Sequence, residues 1–145
     1  MINNRLVAAG EIPLMMQWAT QPGPAFASEQ AALDSMVYGQ RISAEQGEDI
    51  LAWLLGSERY GLLRTQDAQQ GHKLAMLAAL CASNAPIVIC DEPAYGFDPA
   101  DVAAYIHCAA THWGKPLIVL SHDDNFLNMF AATRWSLDRG RLNDR

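Results

Sequence analysis

Pro86-Ile87-Val88-Ile89-Cys90-Asp91-Glu92-Pro93 is the stretch on which the reading of this chain turns. Its apolar, mostly β-branched run between prolines suits a strand of a parallel sheet buried on both faces, and such strands present ligand sites at their carboxyl ends. Asp91 and Glu92 fall at that end. A second run, Pro116-Leu117-Ile118-Val119-Leu120, leads into Ser121-His122-Asp123. A neighbouring strand would thus bring an imidazole beside the two acids. Acids after an apolar strand also serve as turn or helix caps, so the flanking segments must separate the two roles.

Working outward, Gly96-Phe97-Asp98-Pro99 follows the acids, a helical stretch precedes the second strand, and Trp135-Ser136-Leu137-Asp138-Arg139-Gly140-Arg141-Leu142 comes after it. In that order and spacing, residues 86–142 resemble the C-terminal half of an ABC-type ATPase domain. Ile87 to Glu92 is similar to the Walker B strand with the glutamate that follows it. Gly96 to Pro99 resembles the D-loop, Leu120 to Asp123 the H-loop, and Leu137 to Leu142 the closing hairpin.

The resemblance implies roles residue by residue, for a site shared between two subunits. Asp91 would bind Mg²⁺ through water, Glu92 would orient or deprotonate the attacking water, and His122 would contact the γ-phosphate of ATP. Asp98 would communicate across the dimer, and Gln17 would link the metal to a helical subdomain. Gln70 would close the signature sequence.

Gln69 to Leu80 has apolar residues at helical spacing and reads as a helix packed on the sheet. In the resembling family this helix opens with Leu-Ser-Gly-Gly-Gln. The present chain has Gln66-Asp67-Ala68-Gln69-Gln70, in which Gln70 alone matches. An ionised aspartate in place of serine accepts rather than donates, and it repels phosphate. Gln69 also stands where glycine would let a phosphate approach the backbone. Asp67 reads rather as an ordinary helix N-cap. The phosphate-cradling sequence Gly-x-x-x-x-Gly-Lys-Ser/Thr occurs nowhere in the 145 residues; Gly10 is isolated, and Gly114-Lys115 runs into Pro116. Without that cradle, independent ATP and Mg²⁺ binding is expected to be weak or absent.

Glu11 to Met16 reads as a short strand ending at Gln17, which resembles the family's Q-loop glutamine, with Gln21 as the alternative. Residues 1–10 then stand where the family has its first hairpin, P-loop and following helix. Ser28 can cap a helix over residues 29–38. Ser43-Ala44-Glu45-Gln46 has the capping-box pattern ahead of a helix that stops at Gly56. Thr20 to Pro24 is a breaker-rich loop.

These readings give an α/β fold: a partial P-loop NTPase-like parallel sheet with flanking helices and a helical subdomain inserted after the first strand. Strands are expected near residues 11–16, 86–91, 116–121 and 133–138. One truncated ABC-like domain spans residues 1–145, with the helical subdomain and signature-like helix over about 22–82 and the Walker B, D-loop and H-loop half over 83–145. An open sheet edge predicts a dimer or a complex.

Half of the residues are hydrophobic and 18% are charged, enough for one compact core at this length. A net charge of -6, with its ten Lys and Arg residues scattered, argues against a nucleic-acid surface. Cys81, Cys90 and Cys108 lie in apolar patterns as small buried hydrophobes and suggest a reducing compartment. His107 and His112 read as helix surface rather than metal ligands. Met15, Met16, Met36 and Met76, with Trp18 and Trp53, are either core or a docking surface for a membrane subunit. The chain reads as cytoplasmic, without direct membrane insertion, and at most peripheral to the inner membrane through a partner.

Three functional readings follow. One is a degenerate or accessory ABC subunit paired with a full-length ABC ATPase subunit, or as a homodimer, with a membrane permease subunit as a further partner. Another is an ATP-hydrolysing transporter subunit whose P-loop part is supplied separately. The last is a non-catalytic interaction module on an ABC-like scaffold.

Overall fold

The structure, a computed structural model, describes residues 17–18 and 26–144. In chain order the elements are β1 (Gln17–Trp18), α1 (Glu29–Tyr38), α2 (Ala44–Gly56), α3 (Glu58–Gln66), α4 (Ala68–Ala82) and β2 (Val88–Asp91). There follow α5 (Pro99–His112), β3 (Leu117–Leu120), α6 (Asp124–Leu127), β4 (Trp135–Asp138) and β5 (Arg141–Asp144).

The helix starts are written in short polar side chains. Ser28 accepts the Ala31 N–H, Ser57 that of Tyr60, and Asp98 those of Ala100 and Asp101 with Pro99 at the first helical position. Ser43 and Gln46 form the expected capping box. The Gln46 amide also donates to the Ala82 carbonyl at 3.1 Å, tying the start of α2 to the end of α4. Gly71 lets α3 and α4 close on each other, because a Cβ there would lie 3.3 Å from the Arg64 Cα. Helices α1, α2 and α3 all pack along α4, and α3 and α4 both meet α5.

The expected strand over residues 11–16 lies outside the described residues. The strand that is described beside β2 is Gln17–Trp18, parallel to it with Gln17 opposite Ile89. β2 runs parallel to β3, with Val88 opposite Leu117 and Asp91 opposite Leu120, giving the order β1-β2-β3. The chain is therefore a mixed α/β structure with a small parallel sheet.

Two expectations need correction. β2 is not buried on both faces among the described residues: Val88 and Cys90 are buried, whereas Ile89 and Asp91 are only half-buried. Its inward face joins a core with Leu33, Ile50, Leu54, Leu63, Leu74 and Tyr105, and Leu117 and Val119 pack onto the same cluster. Nor does the segment near 133–138 extend the parallel sheet. β4 instead pairs antiparallel with β5 as a separate sheet, Leu137 opposite Leu142. The local reason is the two-residue turn Arg139-Gly140, both at positive φ (47° and 78°), whose twist matches a tight hairpin.

Met36 lies in the core, and Trp53 and Met76 are partly buried against it, which favours the core reading for these three residues. Met15 and Met16 lie outside the described residues. Cys108 is exposed, contrary to expectation, because it falls on the outer face of α5 beside His107, while Cys81 and Cys90 are buried. Among the described residues no helix is long and apolar enough to cross a membrane.

Candidate functional site

The parallel register of β2 and β3 sets Asp91 beside Leu120, so the residues that leave the two strands emerge side by side. Glu92 and Ser121-His122 meet there. The Glu92 Oε2 accepts the Ser121 hydroxyl at 2.7 Å and its Oε1 accepts the His122 backbone N–H at 2.6 Å. The Glu92 N–H extends the ladder to the Leu120 carbonyl at 2.9 Å. The imidazole of His122 is fully exposed, with its Nε2 4.0 Å from the Glu92 Oε1, close enough for an ion pair when the ring is protonated.

Asp91, the expected metal residue, is half-buried and makes no side-chain hydrogen bond among the described residues. Among those residues no group of three or more His, Cys, Asp or Glu side chains could hold a metal ion. Each carboxylate oxygen of Glu92 already accepts one hydrogen bond. A magnesium ion needs several oxygen ligands in near-octahedral geometry, and phosphates need a cradle of backbone amides. Among the described residues this tip offers the Asp91 carboxylate and no such loop, which does not by itself fit Mg²⁺ and ATP.

Asp98 lies on the turn that leaves the acids, where Gly96 at φ 87° reverses the chain. Its carboxylate caps α5, taking the Ala100 and Asp101 N–H groups at 3.0 and 3.2 Å. The turn is tied to the helical half through α3. The Gln66 Oε1 accepts the Asp98 N–H at 3.2 Å, the Gln66 amide donates to Asp101, and the Arg59 guanidinium pairs with the same carboxylate at 2.5 Å.

Gln17 stands on the strand next to β2 opposite Ile89, and Gln70 lies in the first turn of α4; the placement of their side chains lies outside what is described. Gln21 lies outside the described residues. Asp67 has extended backbone, and its carbonyl accepts the Gly71 N–H at 2.8 Å, so it occupies the N-cap position of α4. On that helix, partial burial holds the Lys73 amine below its usual value, against the opposing pull of Asp67. Burial also pushes the Cys81 and Cys90 thiols up to about 12, which leaves them protonated and inert.

The structure therefore brings Asp91, Glu92 and His122 to one place and sets Asp98 on the adjoining turn. Sequence reasoning missed Ser121 as a partner of Glu92, although a hydroxyl next to the histidine was visible. It also missed Gln66 and Arg59, whose bonds span more than thirty residues and leave no local signal. A scan against protein-family models, a search of the curated proteins and a search of the solved structures each found no match to this chain.

Proposed function

We propose that this chain is an ABC-type ATPase-like subunit on a partial P-loop NTPase scaffold, degenerate as a hydrolase and accessory to a full-length ABC subunit that brings the P-loop. The observation that carries this reading is the strand-end pairing: the acid-bearing tip of β2 and the imidazole-bearing tip of β3 are parallel neighbours, 4.0 Å apart at Glu92 and His122. The turn through Asp98 leaves the acids toward α5 in the order expected for a D-loop. In this reading the P-loop, whose sequence this chain lacks, comes from a second subunit.

The test is assembly. The purified chain alone should show no binding of a fluorescent ATP analogue with Mg²⁺. Co-expressed with full-length ABC ATPase subunits of its own cell, it should form a one-to-one complex, measured by light scattering, that strengthens with MgATP and weakens in His122→Ala. Nucleotide-independent assembly, or none with any such subunit, would overturn the reading. Hydrolysis that appears only when a separate P-loop fragment is added, and disappears in Glu92→Gln, would favour the split-enzyme alternative.

A further inference from the structure

Glu92 has φ 46°, in the left-handed region that side chains other than Asn and Asp seldom occupy. Backbone held in such a region persists only where its surroundings over-determine it. At Glu92 the surroundings are bonds to three consecutive residues at the end of β3, with the Glu92 carbonyl accepting the Tyr95 N–H at 3.2 Å. The Ser121 hydroxyl and the His122 N–H each take one carboxylate oxygen, at 2.7 and 2.6 Å, and the Glu92 N–H goes to the Leu120 carbonyl. Both side-chain bonds are short and charge-assisted. Ser121 is itself oriented, since its Oγ accepts the Asp123 N–H at 3.1 Å and so directs its only proton at Glu92.

We infer that Ser121 and the His122 amide hold Glu92 as a closed latch across the tips of β2 and β3, with Ser121 the positioning residue that decides whether this carboxylate is free. While the latch is shut, each oxygen gives one of its two acceptor sites to the sheet tip, which fixes the carboxylate's orientation and leaves fewer sites for water or a cation. Asp123 keeps the arrangement rigid from the far side, because its carboxylate caps α6 through the Asn125 and Phe126 N–H groups. The role of the latch as a brake rests on the ABC-type reading, in which Glu92 must be released toward a site completed by the partner subunit. The latch itself does not depend on that reading.

The experiment uses the full chain and two readouts. In ¹⁵N NMR the His122 amide proton, donating to a carboxylate, should resonate downfield and move upfield in Ser121→Ala. Carbodiimide modification of Glu92, followed by mass spectrometry, should rise roughly threefold or more in the same variant. Ser121→Thr, which keeps the hydroxyl, should restore both. An unchanged amide shift and unchanged labelling in Ser121→Ala would overturn the latch. If that variant does not fold, Glu92→Gln decides between the same outcomes: the His122 amide must move upfield when the carboxylate becomes an amide, and a fixed resonance sinks the proposal. Should labelling respond to Ser121→Ala yet ignore MgATP with a full-length ABC subunit, the latch stands and the ABC-type reading falls.

Discussion

On the inward face of the sheet, Val88 and Cys90 share one core with Leu63, Leu74 and Tyr105, none of them more than 1% exposed. In the C-terminal hairpin, Trp135, Leu137 and Leu142 are 52%, 75% and 65% exposed, and the strands are held chiefly by their own ladder and the Arg139-Gly140 turn. Arg134 fastens its base, pairing with Asp124 and donating to Asn128. The difference teaches where the stability resides. Apolar area removed from water drives folding, whereas an isolated two-stranded hairpin is marginal on its own. The helix-covered side should carry the cooperative unfolding transition, and the hairpin should be able to open without it.

The largest effect that sharpens this contrast is a cavity. Leu63 is fully buried where α3 meets α4 and α5, so Leu63→Ala should lower the unfolding free energy by about 2–5 kcal/mol in urea titrations. Leu137→Ala in the hairpin should stay within about 0.5 kcal/mol. Equal losses at the two sites would break the comparison.

Alkaline pH offers the next largest effect, because Cys81 and Cys90 both belong to the buried side. Burial raises each thiol from 9.0 to about 12 in the folded state. An unfolded chain releases these protons first as pH climbs past 9.0, so it binds fewer protons than the folded one between the two values. Stability is thus fully present below about pH 9 and falls through that window, by at most about 1.4 kcal/mol per pH unit for each thiol. Tyr60 and Tyr105, also raised by burial, add to the decline at the upper end. Unfolding titrations from pH 8 to 11 should show the loss, and Cys81→Ala with Cys90→Ala should flatten its early part. The resonance of an amide in β4 or β5 should not follow the same curve.

A smaller effect comes from Tyr105, whose hydroxyl donates to the Leu74 carbonyl at 2.5 Å inside the core. Tyr105→Phe keeps the ring packing against Trp53 and Tyr60. The Leu74 carbonyl still belongs to the helical ladder of α4, so the cost should be about 1 kcal/mol by thermal or urea unfolding. A loss as large as that of Leu63→Ala would mean that the hydroxyl, not burial, organises this side of the molecule.

Much of this architecture was legible because its signals are local. The capping serines Ser28 and Ser43 announced α1 and α2 within a residue, and the apolar runs at Val88–Asp91 and Leu117–Leu120 announced two parallel strands. Helix α3 was not anticipated: Glu58–Gln66 is polar, has Gly61 inside it, and is held by the burial of Tyr60 and Leu63 against other helices. Propensity is weak there, and tertiary packing decides. In the candidate site, the acid pair and the imidazole were visible as strand-end residues. The Ser121 bond to Glu92 was not, since a side-chain hydrogen bond depends on register and rotamer that spacing alone does not carry.

The smallest expected effect concerns the joint between the two halves. Asp98, the N-cap of α5, and Asp101 in the first turn lie three residues apart, yet they are used differently. Asp98 caps its own helix, while Asp101 reaches across to Arg59 and Gln66 of α3. A helix cap is worth about 1 kcal/mol when replaced by alanine. The Arg59 side chain is nearly half exposed and its ion pair is screened, so Arg59→Ala should cost under about 1 kcal/mol and less at high salt. Gln66→Ala should leave stability almost unchanged but quicken hydrogen exchange at the Asp98 amide, which loses its acceptor. If Gln66→Ala instead lowers stability as far as Asp98→Ala, the helical half and the strand-end half are one cooperative unit at this joint. Exchange at Asp98 that stays slow would place the restraint in the α5 cap alone, with α3 merely resting beside it.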